Sequence, residues 1–466
     1  MDIKGIIGLL ALSDRPHFLK LEALMVIVSA VCFCLVLYLA LDAIIRKADF
    51  FSPARLYLFF HSLTLGIAFL AADKAMTPFK SVTSLVYFGS AACFFLGCWL
   101  VGILDAIRKP KANEPLNIGA YNWRLHIRLA FVLFTVFLLG VLSAGWGLGE
   151  FPLFAKDKAK AITGFFRVSW YSSVALSYGG ITMSLFFMAI FRPRKWSKIL
   201  NFAFWMTVIS LVVFSLALSR SGLIFFAFFA MVFYNYAVKR LSLVKLGLLF
   251  LFFFSAFMVT GYLKLDNFQK EHQLNRVNPW KLARLMMKLP YVYVANNFWN
   301  LDYALNPENY QERHPTTYGF TTVSGVLDMM ALPGGTLGVN IRESGHFDDQ
   351  FHVQSIKVKG LNTMGYQWGL YKDFGIAGPL VLPFLFGMFI KMLYLKVVRT
   401  PNVFNIALYS FLAFFIGLSW FLAFWESMIY VYGLFYVSLV CFVSQRLLPP
   451  RKPDLEPPPL GLLVCK

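Results

Sequence analysis

Charge is scarce in this chain: only 14% of its 466 residues are Asp, Glu, Lys or Arg, against 59% hydrophobic and 18% aromatic. A soluble multidomain protein is thereby excluded, because such a composition has too little polar surface to face water. Cysteine is sparse too. Cys32, Cys34, Cys93, Cys98 and Cys441 fall in apolar runs and Cys465 in the tail, so the one long polar segment has neither a disulfide framework nor a cysteine metal site. Soluble-enzyme signatures are missing: there is no phosphate-cradling glycine-rich loop, no nucleophile elbow and no His-x-x-x-His zinc helix. A nucleotide-sugar donor would need a nucleotide-binding domain, and the short loops have no room for one. Nor is a cleaved leader expected, since the first strong apolar run starts after Glu22 and ten more follow.

What is present is that series of runs, each long enough to cross a hydrocarbon core. They predict eleven helices, at about 22–45, 53–72, 82–104, 127–147, 169–191, 199–218, 222–238, 242–263, 374–395, 402–419 and 427–445. The expected fold is an all-α polytopic membrane protein. Helices 1–8 occupy residues 1–263, a large loop 264–373, helices 9–11 residues 374–446, and a Pro-rich, disordered cytoplasmic tail 447–466.

The formal charge of +20 brings no RNA- or DNA-binding motif with it, so the bilayer is the expected partner and nucleic acid is not. The basic residues instead cluster after every second helix: Arg46-Lys47, Arg108 to Lys111 with Arg124 and Arg128, Arg192 to Lys198, Lys239-Arg240 with Lys245, Lys396 with Arg399, and Arg446 with Arg451-Lys452. Such clusters hold their loops inside, which places the N-terminus outside and the C-terminus in the cytoplasm. The outer loop at 148–168 breaks the pattern with Lys156, Lys158, Lys160 and Arg167. These groups would lie at the outer headgroup level, facing either ordinary phospholipid phosphates or a lipid pyrophosphate.

The loop at 264–373 spans 110 residues, 11 basic and 10 acidic, and is close to neutral. Amphipathic helical patterns at Trp280 to Leu289 and Tyr291 to Leu305 alternate with turns such as Leu332-Pro333-Gly334-Gly335. Structureless loops of this length are rare, so a small, mostly helical lid on the membrane domain is expected. No internal repeat is evident, whereas many secondary transporters are built from repeated halves.

Ser219-Arg220-Ser221-Gly222 joins two helices through a tight turn at the outer face. An arginine there either grips a phosphate bidentately with its rigid fork or snorkels to bulk headgroups. From this turn onward the chain resembles the Wzy-type O-antigen and capsule polymerases, whose members share an Arg in a Ser/Gly-flanked turn before an apolar helix. Two further stretches carry the resemblance. Tyr291-Val292-Tyr293-Val294-Ala295-Asn296-Asn297-Phe298-Trp299-Asn300-Leu301-Asp302, followed by Gly319-Phe320-Thr321-Thr322, is similar to the family's Tyr-rich, Asn-Leu-Asp segment and the Gly-x-Thr segment after it. Asn362-Thr363-Met364-Gly365-Tyr366 with Tyr371-Lys372-Asp373-Phe374-Gly375 and Gly378 looks like its Asn-Thr and Tyr-x-Asp-Phe-Gly-x-x-Gly segments. The resemblance covers roughly residues 120 to 445.

It implies a GT-C-like glycosyltransferase at the periplasmic face of a bacterial inner membrane, moving a growing glycan from undecaprenyl pyrophosphate onto another lipid-linked repeat unit. Arg220, Arg167, Lys158 and Lys160 would hold the pyrophosphate. Tyr293, Asn297, Trp299, Asn300, Tyr366 and Tyr371 would contact the glycan, and a membrane protein that regulates chain length is an expected partner. No cofactor or metal is expected, since cationic side chains can neutralise the leaving pyrophosphate. The acceptor hydroxyl still needs a base. Glu426, in the aromatic hairpin after Trp420, is one candidate, either as base or as partner of a basic group; His314 and His346 are the others. His346-x-Asp348-Asp349-x-x-His352 has a metal-like spacing but suits a solvated loop better. Asp373 is placed as the N-cap of a helix beginning at Phe374, with Gly375 and Gly378 allowing close packing. Trp299, Tyr366, Trp368 and Tyr371 are either sugar-stacking surfaces or interface-belt aromatics. An O-antigen ligase, or a flippase for lipid-linked sugars, remains the alternative.

Overall fold

The computed structural model describes residues 15–70, 79–107, 121–155, 220–242 except 238, 244–249, 294–306, 318–330 and 363–447 except 422 and 427, with a few single positions between. All regular structure among these residues is helical. The helices are α1 (Arg15–Ile45), α2 (Pro53–Ala68), α3 (Ser81–Ile107), α4 (Trp123–Leu148), α5 (Arg220–Ala237), α6 (Phe320–Met330), α7 (Gln367–Phe374), α8 (Ala377–Arg399), α9 (Val403–Leu418) and α10 (Met428–Phe442). A short 3-10 turn, Phe424–Glu426, precedes α10, and residues 294–305 are helical as well.

Among the described residues, three helices are long and apolar enough to cross a membrane: α1 over Leu24–Ile45, α3 and α8. Their outward faces expose Val26, Ile27 and Val31, Leu85, Leu96 and Trp99, and Val381, Leu385 and Phe389. A face so apolar is at home in hydrocarbon, where a helix satisfies its own backbone. The chain is a helical membrane protein. Of the expected spans, 169–191 lies outside the described residues and 199–218 is described only at single positions, as is the later part of 242–263. The tail from 448 onward also lies outside them.

Ends of the helices meet at one end of the bundle. Asp42 of α1 pairs with Arg55 of α2 at 2.7 Å, and Asp105 of α3 pairs with Arg399 of α8. Between them, the Asp49 carboxylate accepts from the hydroxyls of Tyr236 and Tyr394 at 2.8 and 2.9 Å. The start of α4 joins through Asn122, whose N–H donates to the Ser444 carbonyl at 3.0 Å. This is the end marked by the basic clusters. The interior is aromatic: Phe225 of α5 packs edge-on against Phe411 and Phe414 of α9, each at 4.7 Å, an arrangement that suits the ring quadrupoles.

The span expected at 374–395 is α8, Ala377–Arg399, and a separate short helix, α7, leads into it. Gly375 takes φ 59 and its N–H closes α7 on the Tyr371 carbonyl, so the helical path ends at Phe374 and resumes at Ala377. Asp373 therefore does not cap the helix that follows it. It lies inside α7, fully buried, and its carboxylate accepts from the backbone N–H groups of Thr321 and Thr322, capping α6 across the fold. Gly378 does allow a close approach: a Cβ there would stand 2.1 Å from the Leu370 carbonyl oxygen.

Candidate functional site

At the end of the bundle opposite the ion pairs, the described pieces of the long segment 264–373 pack between the helices. The 294–306 stretch places Ala295, Phe298 and Trp299 in one apolar cluster with Met25 of α1, Leu65 of α2 and Val86 of α3. Asp302 accepts from the Lys80 N–H at 3.1 Å, and Asn300 donates to the Thr363 carbonyl at 3.1 Å. The 363–366 segment then runs down to the end of α9, where the Tyr366 N–H donates to the Ser419 carbonyl at 3.0 Å.

Below these contacts is a polar network. His61, at mid-length of α2, bonds Tyr87 of α3 through Nδ1 at 3.0 Å and Ser419 through Nε2 at 2.9 Å. The Ser419 hydroxyl donates its own hydrogen to the Ile416 carbonyl at 2.9 Å. It must therefore accept from His61, which assigns the proton to Nε2 and leaves Nδ1 to accept from Tyr87. Tyr57 stacks on the imidazole at 3.8 Å and 12°, and its hydroxyl meets that of Tyr366 at 3.1 Å. Burial pushes the Tyr366 phenol up to about 12, so it stays a protonated hydroxyl at neutral pH. Tyr87 is six residues into α3, about 9 Å along the helix from its start, so the network lies within the bundle.

Glu426 stands beside this network. It ends the 3-10 turn, half-buried, with its carbonyl accepting from Ser324 of α6 at 3.2 Å. Its carboxylate rests on the backbone of α7: a Cβ on Gly369 would lie 1.8 Å from Glu426 Oε1. The neighbouring Trp425 ring meets Tyr366 edge-on at 5.8 Å.

The structure thus brings together Glu426, Asn297, Trp299, Asn300, Tyr366 and, half-buried at the rim, Tyr371, which stacks with Trp368 at 6.4 Å. Arg220 opens α5, and its side chain lies outside what the structure describes, as do His314, His346, Arg167, Lys158, Lys160 and Tyr293. Sequence reasoning missed His61, Tyr87, Ser419 and Gln367. A signal existed for His61, an ionisable residue in the middle of an apolar span, which points to a polar interior role.

Several buried polar atoms here have no hydrogen-bond partner among the described residues: both carboxamide atoms of Gln367, Thr83 Oγ1, and the indole N–H groups of Trp299, Trp420 and Trp425. Each such group costs about 1–3 kcal/mol relative to a satisfied one, so a concentration of them in one place marks a site that is completed by a ligand or by water. Replacing His61 with Phe keeps the ring stack on Tyr57 but strands the Tyr87 hydroxyl. It is expected to cost about 2 kcal/mol, read as a lower melting temperature of the purified protein.

Fold and site together define a helical membrane protein with a buried, uncharged polar cluster and one half-buried carboxylate at one end of its bundle. No family model matches the chain, and neither a curated protein nor a solved structure matches it.

Proposed function

We propose that the protein is a membrane-embedded glycosyltransferase that polymerises undecaprenyl-pyrophosphate-linked repeat units into an O-antigen or related surface polysaccharide, at the periplasmic face of a bacterial inner membrane. The observation that supports it most is the set of unmet indole, carboxamide and hydroxyl groups beside Glu426, an inventory suited to a hydroxyl-rich substrate. In the reaction the acceptor hydroxyl oxygen attacks the anomeric carbon, the bond from that carbon to the pyrophosphate oxygen breaks, and the hydroxyl proton passes to the Glu426 carboxylate. Arg220, with Lys158, Lys160 and Arg167, stabilises the charge that builds on the departing pyrophosphate. Residues 264–373 supply glycan contacts and exclude water.

Purified protein supplied with lipid-linked repeat units should yield a ladder of longer lipid-linked glycans. Movement of those lipids across the bilayer without new glycosidic bonds would replace this reading with a flippase. Arg220→Ala is expected to remove the ladder while the protein stays in the membrane fraction, and an unchanged chain-length distribution would remove Arg220 from the phosphate role.

A further inference from the structure

Resting on the glycan-transfer reading for its role but not for its chemistry, we infer that Gln367, Trp299, Trp420, Trp425 and Thr83 form a subsite for an uncharged sugar ring, separate from the pyrophosphate site. None of these five side chains carries charge. Three are indole N–H donors, one is a hydroxyl, and the Gln367 carboxamide offers a donor and an acceptor side by side, the pairing that vicinal hydroxyls of a pyranose satisfy. A pyrophosphate needs cations instead. Gln367 and Thr83 are fully buried, so nothing in bulk water serves their polar atoms.

The five residues come from four parts of the chain. A Cβ on Gly365 would lie 2.4 Å from Gln367 Oε1 and 3.3 Å from the Trp420 carbonyl oxygen, which puts the carboxamide beside the turn that follows α9. Trp420 packs against both apolar clusters of the molecule and so joins Trp299 and Trp368 on one side to Tyr366 and Trp425 on the other. Thr83 is one turn before Tyr87 on α3. The three tryptophans belong to these aromatic clusters and can offer a ring face to a sugar, which has an apolar ring face and a polar rim. The unmet atoms are shut away from solvent, so the structure holds the subsite closed. Trp420 and Trp425 are only half-buried, and the sugar enters there by parting the 363–374 and 419–426 segments.

The test uses purified full-length protein in lipid nanodiscs, with tryptophan fluorescence read against glucose, galactose, N-acetylglucosamine and N-acetylgalactosamine, and against inorganic pyrophosphate. At least one neutral sugar should give a saturable change that pyrophosphate neither mimics nor competes away. Gln367→Leu should weaken that saturation tenfold or more and, by removing buried groups that lack partners, raise the melting temperature of the ligand-free protein. Thr83→Val, nearly isosteric, should act in the same direction. A response to none of the sugars, displacement of the sugar by pyrophosphate, or an unchanged saturation in both variants would overturn the subsite. Sugar binding without a polymer ladder sinks only the enzymatic reading, whereas a ladder with unchanged saturation in both variants sinks only this one.

Discussion

Glu426→Gln is expected to slow extension of lipid-linked repeat units by about 100-fold or more, the low end of what a positioned general base contributes. The substitution keeps the size of the side chain and its place in the 3-10 turn, so the protein should melt at nearly its normal temperature. A second variant separates proton transfer from position. A methyl group on Gly369 would fall 1.8 Å from Glu426 Oε1, and the atom it meets is the tip of a side chain rather than backbone. Gly369→Ala therefore displaces the carboxylate without breaking α7, and a displacement of about 1 Å at a reacting group is enough for a loss of about 100-fold. Both variants should show short or absent ladders on gels of radiolabelled lipid-linked glycan while wild-type protein makes long ones. Full activity in both would exclude Glu426 from the reaction.

The pairing of Glu426 with Gly369 shows where sequence reasoning reached and where it stopped. Glu426 stood out because it is a lone carboxylate in an aromatic hairpin, a property of neighbours in the chain. Gly369 and Gln367 did not, because their meaning depends on a contact between residues more than fifty positions apart. Helix positions were legible where an apolar run ends in polar residues: α3 was expected at 82–104 and is Ser81–Ile107, and α9 was expected at 402–419 and is Val403–Leu418. The start of α8 was expected at 374 and is Ala377, but the short helix α7 before it was not expected, because Lys372 and Asp373 interrupt the apolar run and the turn at Gly375 is visible only in its backbone dihedral. Asp373 had the chemistry of a cap, but which helix it caps is decided by tertiary packing that brings Thr321 to it. The His61 network joins positions 57, 61, 87, 366 and 419, which no local pattern connects.

That network explains how a site built from distant pieces keeps its shape. His61 ties α2 to α3 through Tyr87 and to the end of α9 through Ser419, and Ser419 receives the Tyr366 N–H in turn. The turn bearing Trp420, Trp425 and Glu426 starts at Ser419, so its origin is pinned to two membrane helices. On its far side the turn is held by α6, which Asp373 caps. Chemistry and support thus alternate along the chain, and loosening either anchor lets the carboxylate drift.

Gly97→Ala is expected to remove most of the folded protein, a larger effect on stability than any substitution in the site. α3 and α8 lie against each other over most of their length, and their backbones approach closely at two glycines. A Cβ on Gly97 would stand 2.1 Å from the Phe384 carbonyl oxygen and 3.0 Å from the Met388 nitrogen, and one on Gly387 would stand 2.3 Å from the Phe94 carbonyl oxygen. These neighbours are backbone atoms of packed helices and cannot rotate away, so the helices must separate along the seam. Overpacking of well-packed cores costs about 1–3 kcal/mol and more where backbone must move, and small residues are what permit such crossings in membranes. Gly102 on the same helix supplies the control: its Cβ would meet only Lys391 Cε, at 4.0 Å. Gly102→Ala should leave the yield of monodisperse protein in detergent unchanged, whereas Gly97→Ala and Gly387→Ala should each reduce it severalfold. Equal yields from all three would mean that α3 and α8 do not pack through these glycines.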